Sequence, residues 1–158
     1  MSAHFGRLPP QYRFALNVDL DARFTRCPQC KQKMKQRRLP LIVHVEPRYL
    51  SVFVQTCRYC PDCDLLIAHA DLLGAQMLNW FGEYDSSVLG NEYLVIGTME
   101  GEAWNKHRRE SRFIDEEMGD VHDFAAVVRI EGHVGNWQLV NVTQDFLKQK
   151  QRLIDAAI

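Results

Sequence analysis

TCRYCPDCDLL, residues 56–66, carries three cysteines at even spacing: Cys57, Cys60 and Cys63. Upstream, RCPQC at 26–30 adds Cys27 and Cys30, and these five are all the cysteines in the chain. A thiolate is a soft donor, and four of them around one divalent ion make a closed tetrahedral site. One of the five is therefore spare. Two ligands separated by two residues can face one ion from a tight turn, whose backbone N–H groups then point at the sulfurs. Pro28 and Pro61 each set φ at the first turn position. Because CPQC and CPDC repeat the same turn, the expected ligands are Cys27, Cys30, Cys60 and Cys63. Cys57 then lies late in a strand as a small buried apolar residue. A ligand pair of Cys57 with Cys60 is the competing assignment.

The two turns resemble the paired knuckles of the zinc-ribbon family, with Tyr59 in front of the second as an aromatic suited to that pattern. The resemblance covers roughly residues 20–70. It implies one structural zinc ion, held by Cys27, Cys30, Cys60 and Cys63, with no open position for catalysis. The chain departs from the commonest ribbon in two ways. The gap between the pairs is 29 residues, and Lys31 and Asp64 stand after the knuckles where glycine is usual.

Other cysteine chemistries remain open. The C-x2-C-x2-C run at 57–63 is the opening of an iron–sulfur pattern, which Cys27 or Cys30 would have to complete, because Ile67 stands at the next offset. CPQC alone looks like a redox pair, but that fold would start a helix at Cys30, and the following polar run meets Pro40. The N-terminus has no apolar run of signal-peptide length, so the expected location is the cytoplasm. There thiols stay reduced, and ligands are favoured over structural disulfides.

At 158 residues, 46% hydrophobic and 25% charged, the composition is that of a globular protein. A formal net charge of -1 demands neither nucleic acid nor an anionic membrane as partner. No apolar run is long enough to span a bilayer.

Moving outward, 12–25 alternates apolar and polar, with Phe14, Leu16, Val18 and Leu20 on one face, and reads as a half-buried strand. The run at 31–38 reads as a basic loop. Residues 39–57 read as a hairpin turning at Pro47, and 64–69 as a further strand. Helical spacing of Leu72, Leu73, Gln76, Met77 and Trp80 marks a helix at 71–84, with Asp71 near its start. Residues 85–91 read as a linker, 92–99 as a strand, and 102–119 as a charged helix ended by Gly119. Residues 123–142 read as two strands around a turn near 132–136. A tail helix follows, capped by Thr143, with Phe146, Leu147, Lys150, Leu153 and Ile154 on one face. The expected class is α+β: antiparallel strands with a four-cysteine, zinc-ribbon-like N-terminal half and a mixed strand/helix C-terminal half. The chain reads as a single compact unit over 1–158, divisible at most into 10–85 and 86–158.

The expected function is a structural zinc protein that binds another macromolecule, a protein first. Residues 21–38 hold seven basic residues (Arg23, Arg26, Lys31, Lys33, Lys35, Arg37 and Arg38) against Asp21, a local net of +6. Nucleic acid is thus an alternative partner, through Lys31, Lys33, Lys35, Arg37 and Arg38, although that loop has no interleaved aromatics for stacking. Of the six histidines, His44 and His69 lie nearest the cysteines, as core or edge residues, as partners of the ligands or as a replacement ligand. A third reading is an enzyme with a site in 91–142 using His107, His122, Asp123 or Glu131. No nucleophile elbow, phosphate loop or dinucleotide motif accompanies them, and no catalytic residue is assigned. Trp80, Phe81, Trp104 and Trp137 read as core anchors.

Overall fold

In the computed structural model, residues 6–19, 21–46, 49–110, 120–134 and 136–156 are described. The strands are β1 (Leu8–Asn17), β2 (Lys35–Val45), β3 (Tyr49–Cys60), β4 (Leu65–His69), β5 (Tyr93–Met99), β6 (Val121–His133) and β7 (Asn136–Asn141). Three α-helices, α1 (Ala70–Tyr84), α2 (Gly101–Glu110) and α3 (Thr143–Ala156), and a short 3-10 turn at Ser86–Val88 complete the regular structure among the described residues.

The sheet runs β1-β4-β3-β2-β5-β6, and β6 returns to pair with β1, so six strands close into a barrel. β7 is a seventh strand, joined to the far half of β6. This corrects the expected α+β division. Strands from both halves of the sequence build one barrel: β5 pairs with β2, and β6 pairs with β1. Nor are the strands uniformly antiparallel. β1 is parallel to both its neighbours, β4 and β6. Closure gives each of the six barrel strands a neighbour on both sides over part of its length.

The pleat sorts side chains onto two surfaces. Phe14 pairs across from Leu66, and Ala15 from Ile67. The first two join the central cluster with Leu41, Val43, Phe53, Cys57, Val95 and Phe124, which α1 completes with Leu73 and Phe81. The second two join an outer cluster with Cys27, Met34, Cys60 and Val128. A third cluster, Ile42, Ile96, Met99 and Val121, packs against Trp104 of α2. Burying a large aliphatic or aromatic side chain is worth roughly 1.5–3 kcal/mol, so the three layers together are the main source of stability. At Gly97, a Cβ would overlap the carbonyl oxygen of His122 on β6, and glycine permits the close β5–β6 approach.

The local readings need adjusting at the ends. β1 ends at Asn17, short of the expected 25, because the Asn17 side chain closes a turn. Its Oδ1 accepts from Asp19 N (2.9 Å), and its Nδ2 donates to Ala22 O (2.6 Å). Val18, expected on the buried face, is 75% exposed. Lys35–Arg38, expected as loop, belong to β2. Pro47, Leu20 and Gly119 lie outside the described residues. The Thr143 hydroxyl does not cap α3. It bonds Val127 N and O on β6, while Asn141 Oδ1 accepts from Thr143 N. Lys150, placed on the inner face of that helix by its spacing, is buried there against Asp123 (2.6 Å). Trp80 is not a core anchor: it is 52% exposed and stacks on Tyr84, whereas Phe81 is buried.

Candidate metal centre

Residues 18–34 link β1 to β2 without a strand or helix of their own among the described residues, an unusual length for an irregular connection in a compact domain. Such a segment needs an anchor. One is the Arg23 guanidinium, which holds Asp71 of α1 through two bonds (2.6 and 3.0 Å). The other is the cysteine cluster. Cys27 N donates to Gln32 O, Met34 N donates to Thr25 O, and Arg26 bridges to Lys33, so the first knuckle tops a miniature hairpin. Gln29 N and Cys30 N both point at Cys27 Sγ, at 3.4 and 3.5 Å. The second knuckle is the turn between β3 and β4, closed by the Cys60–Leu65 pair. Lys31 (φ 68°) and Asp64 (φ 51°) follow the two knuckles in the left-handed region. The left-handed region favours glycine, and both turns adopt it with a side chain in place.

The Sγ atoms of Cys27, Cys30, Cys60 and Cys63 all lie within 4.8 Å of one another. Cys27 faces Cys63 at 3.9 Å, and Cys30 faces Cys60 at 3.5 Å. With Zn–S near 2.3 Å, a tetrahedron places its sulfurs about 3.8 Å apart. The spacing is far beyond a disulfide bond, and all five cysteines are free. The four residues thus fit one tetrahedral metal ion. Arg13 braces both knuckles, donating from one guanidinium nitrogen to Gln29 Oε1 (3.0 Å) and Cys63 O (3.3 Å). Trp137 of β7 covers the site by packing edge-on against Phe24 at 5.0 Å. A cleft of about 420 Å³ reaches Cys27 past Asp21, Arg26 and Lys31, giving an ion a route from solvent.

The electrostatics point the same way. The Gln32 N–H bond to Cys30 lowers that thiol below its ordinary value, with burial opposing. Burial raises Cys60 and pushes Cys63 up to about 12, and the neighbouring sulfurs add to both shifts. Four thiolates so close repel one another. A central dication reverses that balance, and coordinating thiols deprotonate.

Cys57 stands apart. It lies three residues before Cys60 on a strand of period two, hence on the opposite face, in the barrel interior. Burial pushes its thiol up to about 12. Cys57 therefore does not join Cys60 and Cys63 in the sulfur group, which is completed by Cys27 and Cys30. The parity was available from the sequence once β3 is extended through Cys60. Arg13 and Trp137 carried no such signal, because both meet the site only through tertiary pairing.

The remaining candidates disperse. His69 is buried and bonds Asn17 Nδ2 through Nδ1 (3.1 Å), while His44 Nδ1 is buried without a partner among the described residues. Neither belongs to the sulfur group. Asp123 is engaged by Lys150 and Gly6 N, and His122 Nδ1 by Pro9 O. Glu131 pairs with Arg129 on the surface, and the side chain of His107 lies outside those described. No helix among the described residues is long and apolar enough to cross a membrane. Comparison with protein-family models, curated proteins and solved structures found no match for this chain.

Proposed function

We propose that this is a structural zinc protein whose task is binding another protein. Cys27, Cys30, Cys60 and Cys63 hold one zinc ion between two zinc-ribbon-like knuckles, on the outer wall of the barrel. The observation that carries the reading is the near-tetrahedral group of four sulfurs with two knuckles of matching backbone. Four protein ligands leave no position for water or substrate, so the ion staples residues 18–34 to the β3–β4 turn and takes no part in chemistry. Sulfurs this close suit one ion better than a multi-iron cluster. Protein binding is supported by α1, where Trp80 and Tyr84 stack at 5.6 Å in the open, with Leu72 and Leu78 also exposed. Exposed aromatics of this kind anchor protein interfaces. The exposed cations of β2 support nucleic acid as the second reading.

Elemental analysis of purified full-length protein tests the metal reading. One zinc per chain is expected, lost in Cys30→Ser and Cys63→Ser and kept in Cys57→Ser. Stoichiometric iron, or a metal that survives Cys63→Ser but not Cys57→Ser, overturns it. Proteins captured by the parent but not by Trp80→Ser/Tyr84→Ser support the binding reading. A captured component that is nuclease-sensitive and falls away steeply with salt supports nucleic acid instead.

A further inference from the structure

β2 has β3 beside it along its whole length, from Lys35 opposite Tyr59 to Val45 opposite Tyr49. On its other side β5 begins only at Leu41, opposite Thr98. Pro40 explains the break. Thr98 Oγ1 donates to Pro40 O at 2.7 Å, so the Pro40 carbonyl faces β5. The ring nitrogen faces the same way and has no hydrogen to give to a ladder. Backbone groups two residues apart in a strand share a side. The N–H and C=O of Arg38 and Gln36 therefore point outward past the end of β5, with no strand beside them among the described residues.

The side chains here are selective. Lys35, Gln36, Arg37 and Arg38 are all exposed, and Lys35, Arg37 and Arg38 have no ion-pair partner among the described residues. The Arg37 guanidinium lies 5.0 Å from the Tyr59 ring centre and 5.7 Å from that of Tyr12. A second copy of this edge would set cation against cation, which disfavours self-pairing. A phosphate backbone could meet the cations, but it offers acceptors only and leaves the outward carbonyls of Gln36 and Arg38 unpaired. An extended peptide supplies both donors and acceptors, and acidic side chains on it would satisfy the cations.

We propose that the open edge of β2 at Gln36 and Arg38 receives an acidic, extended segment of another protein as an added strand. This deepens the protein-binding reading and rests on it. The test uses the zinc-loaded full chain and a fluorescent peptide of about seven residues alternating glutamate with valine, followed by anisotropy. Binding is expected, weakened about tenfold or more by Arg38→Glu. Gln36→Pro, which removes one outward N–H, should abolish it, while Gln36→Ala should not. A cooperative melt checks that each variant is folded. Two peptides N-methylated on alternate residues separate strand pairing from simple charge attraction, because only the one blocked on its paired edge should fail. If both bind like the parent peptide, or none binds, the inference is overturned. Where capture through Trp80 persists, the protein-binding reading survives that failure. If a single-stranded oligonucleotide displaces the peptide and ignores Gln36→Pro, the inference is overturned in favour of nucleic acid at this edge.

Discussion

At the residue scale, backbone conformation decides what the knuckles tolerate. Lys31 occupies φ 68° and gains two side-chain bonds, from Nζ to Pro28 O (3.1 Å) and to Asn136 Oδ1 (3.4 Å). A β-branched residue there meets the left-handed penalty with no compensation. Lys31→Val should cost about 1–2 kcal/mol relative to Lys31→Gly, read from urea midpoints, and equal stabilities would refute the strain argument. His69 supplies a pH dependence. Burial, then the charge of Arg23, lowers its pKa from 6.5, with Asp71 opposing and Arg58 reinforcing. Asn17 Nδ2 donates to Nδ1, so the folded ring is neutral. On acidification the unfolded chain takes this proton first. The stability supplied by neutral His69 is thus full above about pH 6.5 and declines below it. Acid also competes with metal for thiolates, so the measurement is a difference. His69→Gln should lose less melting temperature than the parent between pH 7.5 and 5.5. Parallel curves would remove His69 from the account. The spare cysteine was legible in the repeated CPxC turn, and the parity of β3 gives the reason.

At the scale of elements, the Lys150–Asp123 ion pair, the Thr143 hydroxyl and buried Phe146 help to hold α3 to the barrel. Lys150 and Asp123 are each 1% exposed and 2.6 Å apart, with Phe146 beneath the ammonium at 5.2 Å. Removing one partner strands a buried charge. Lys150→Met should cost about 3–5 kcal/mol, and Asp123→Leu/Lys150→Met should recover much of it. If the double variant falls by the sum of the singles, the two groups are not coupled. Helices and strands were mostly legible from periodicity, as at α1, although of the apolar face expected there Leu73 is buried while Leu72 and Trp80 are exposed. Ends were less legible. Alternation past Asn17 continued in the sequence, but a side chain that bonds its own backbone stops the strand whatever the pattern says.

At the scale of the whole molecule, closure makes the halves depend on each other. A chain ending at Gly90 lacks β5 and β6, so β1 keeps only β4 and β2 keeps only β3. It should give poor amide dispersion and bind zinc without a cooperative melt. A well-dispersed spectrum with one bound zinc would show that closure is dispensable. Chelation of the full chain should lower its melting temperature, because the staple on residues 18–34 is released while the barrel ladders remain.

By itself the sequence determined the chemistry: five thiols, two proline turns, the soft four-donor set, and the periods of most elements. All of these depend on residues close together in the chain. Only the tertiary structure decided that β1 runs parallel to β4 and β6, that Arg13 and Trp137 meet the sulfurs, and that β5 pairs with β2 only from Leu41 onward. Each of those joins segments far apart in sequence. The free energy that selects such pairings comes from burying the central and outer clusters together, and no local pattern encodes which distant strand will supply the other wall.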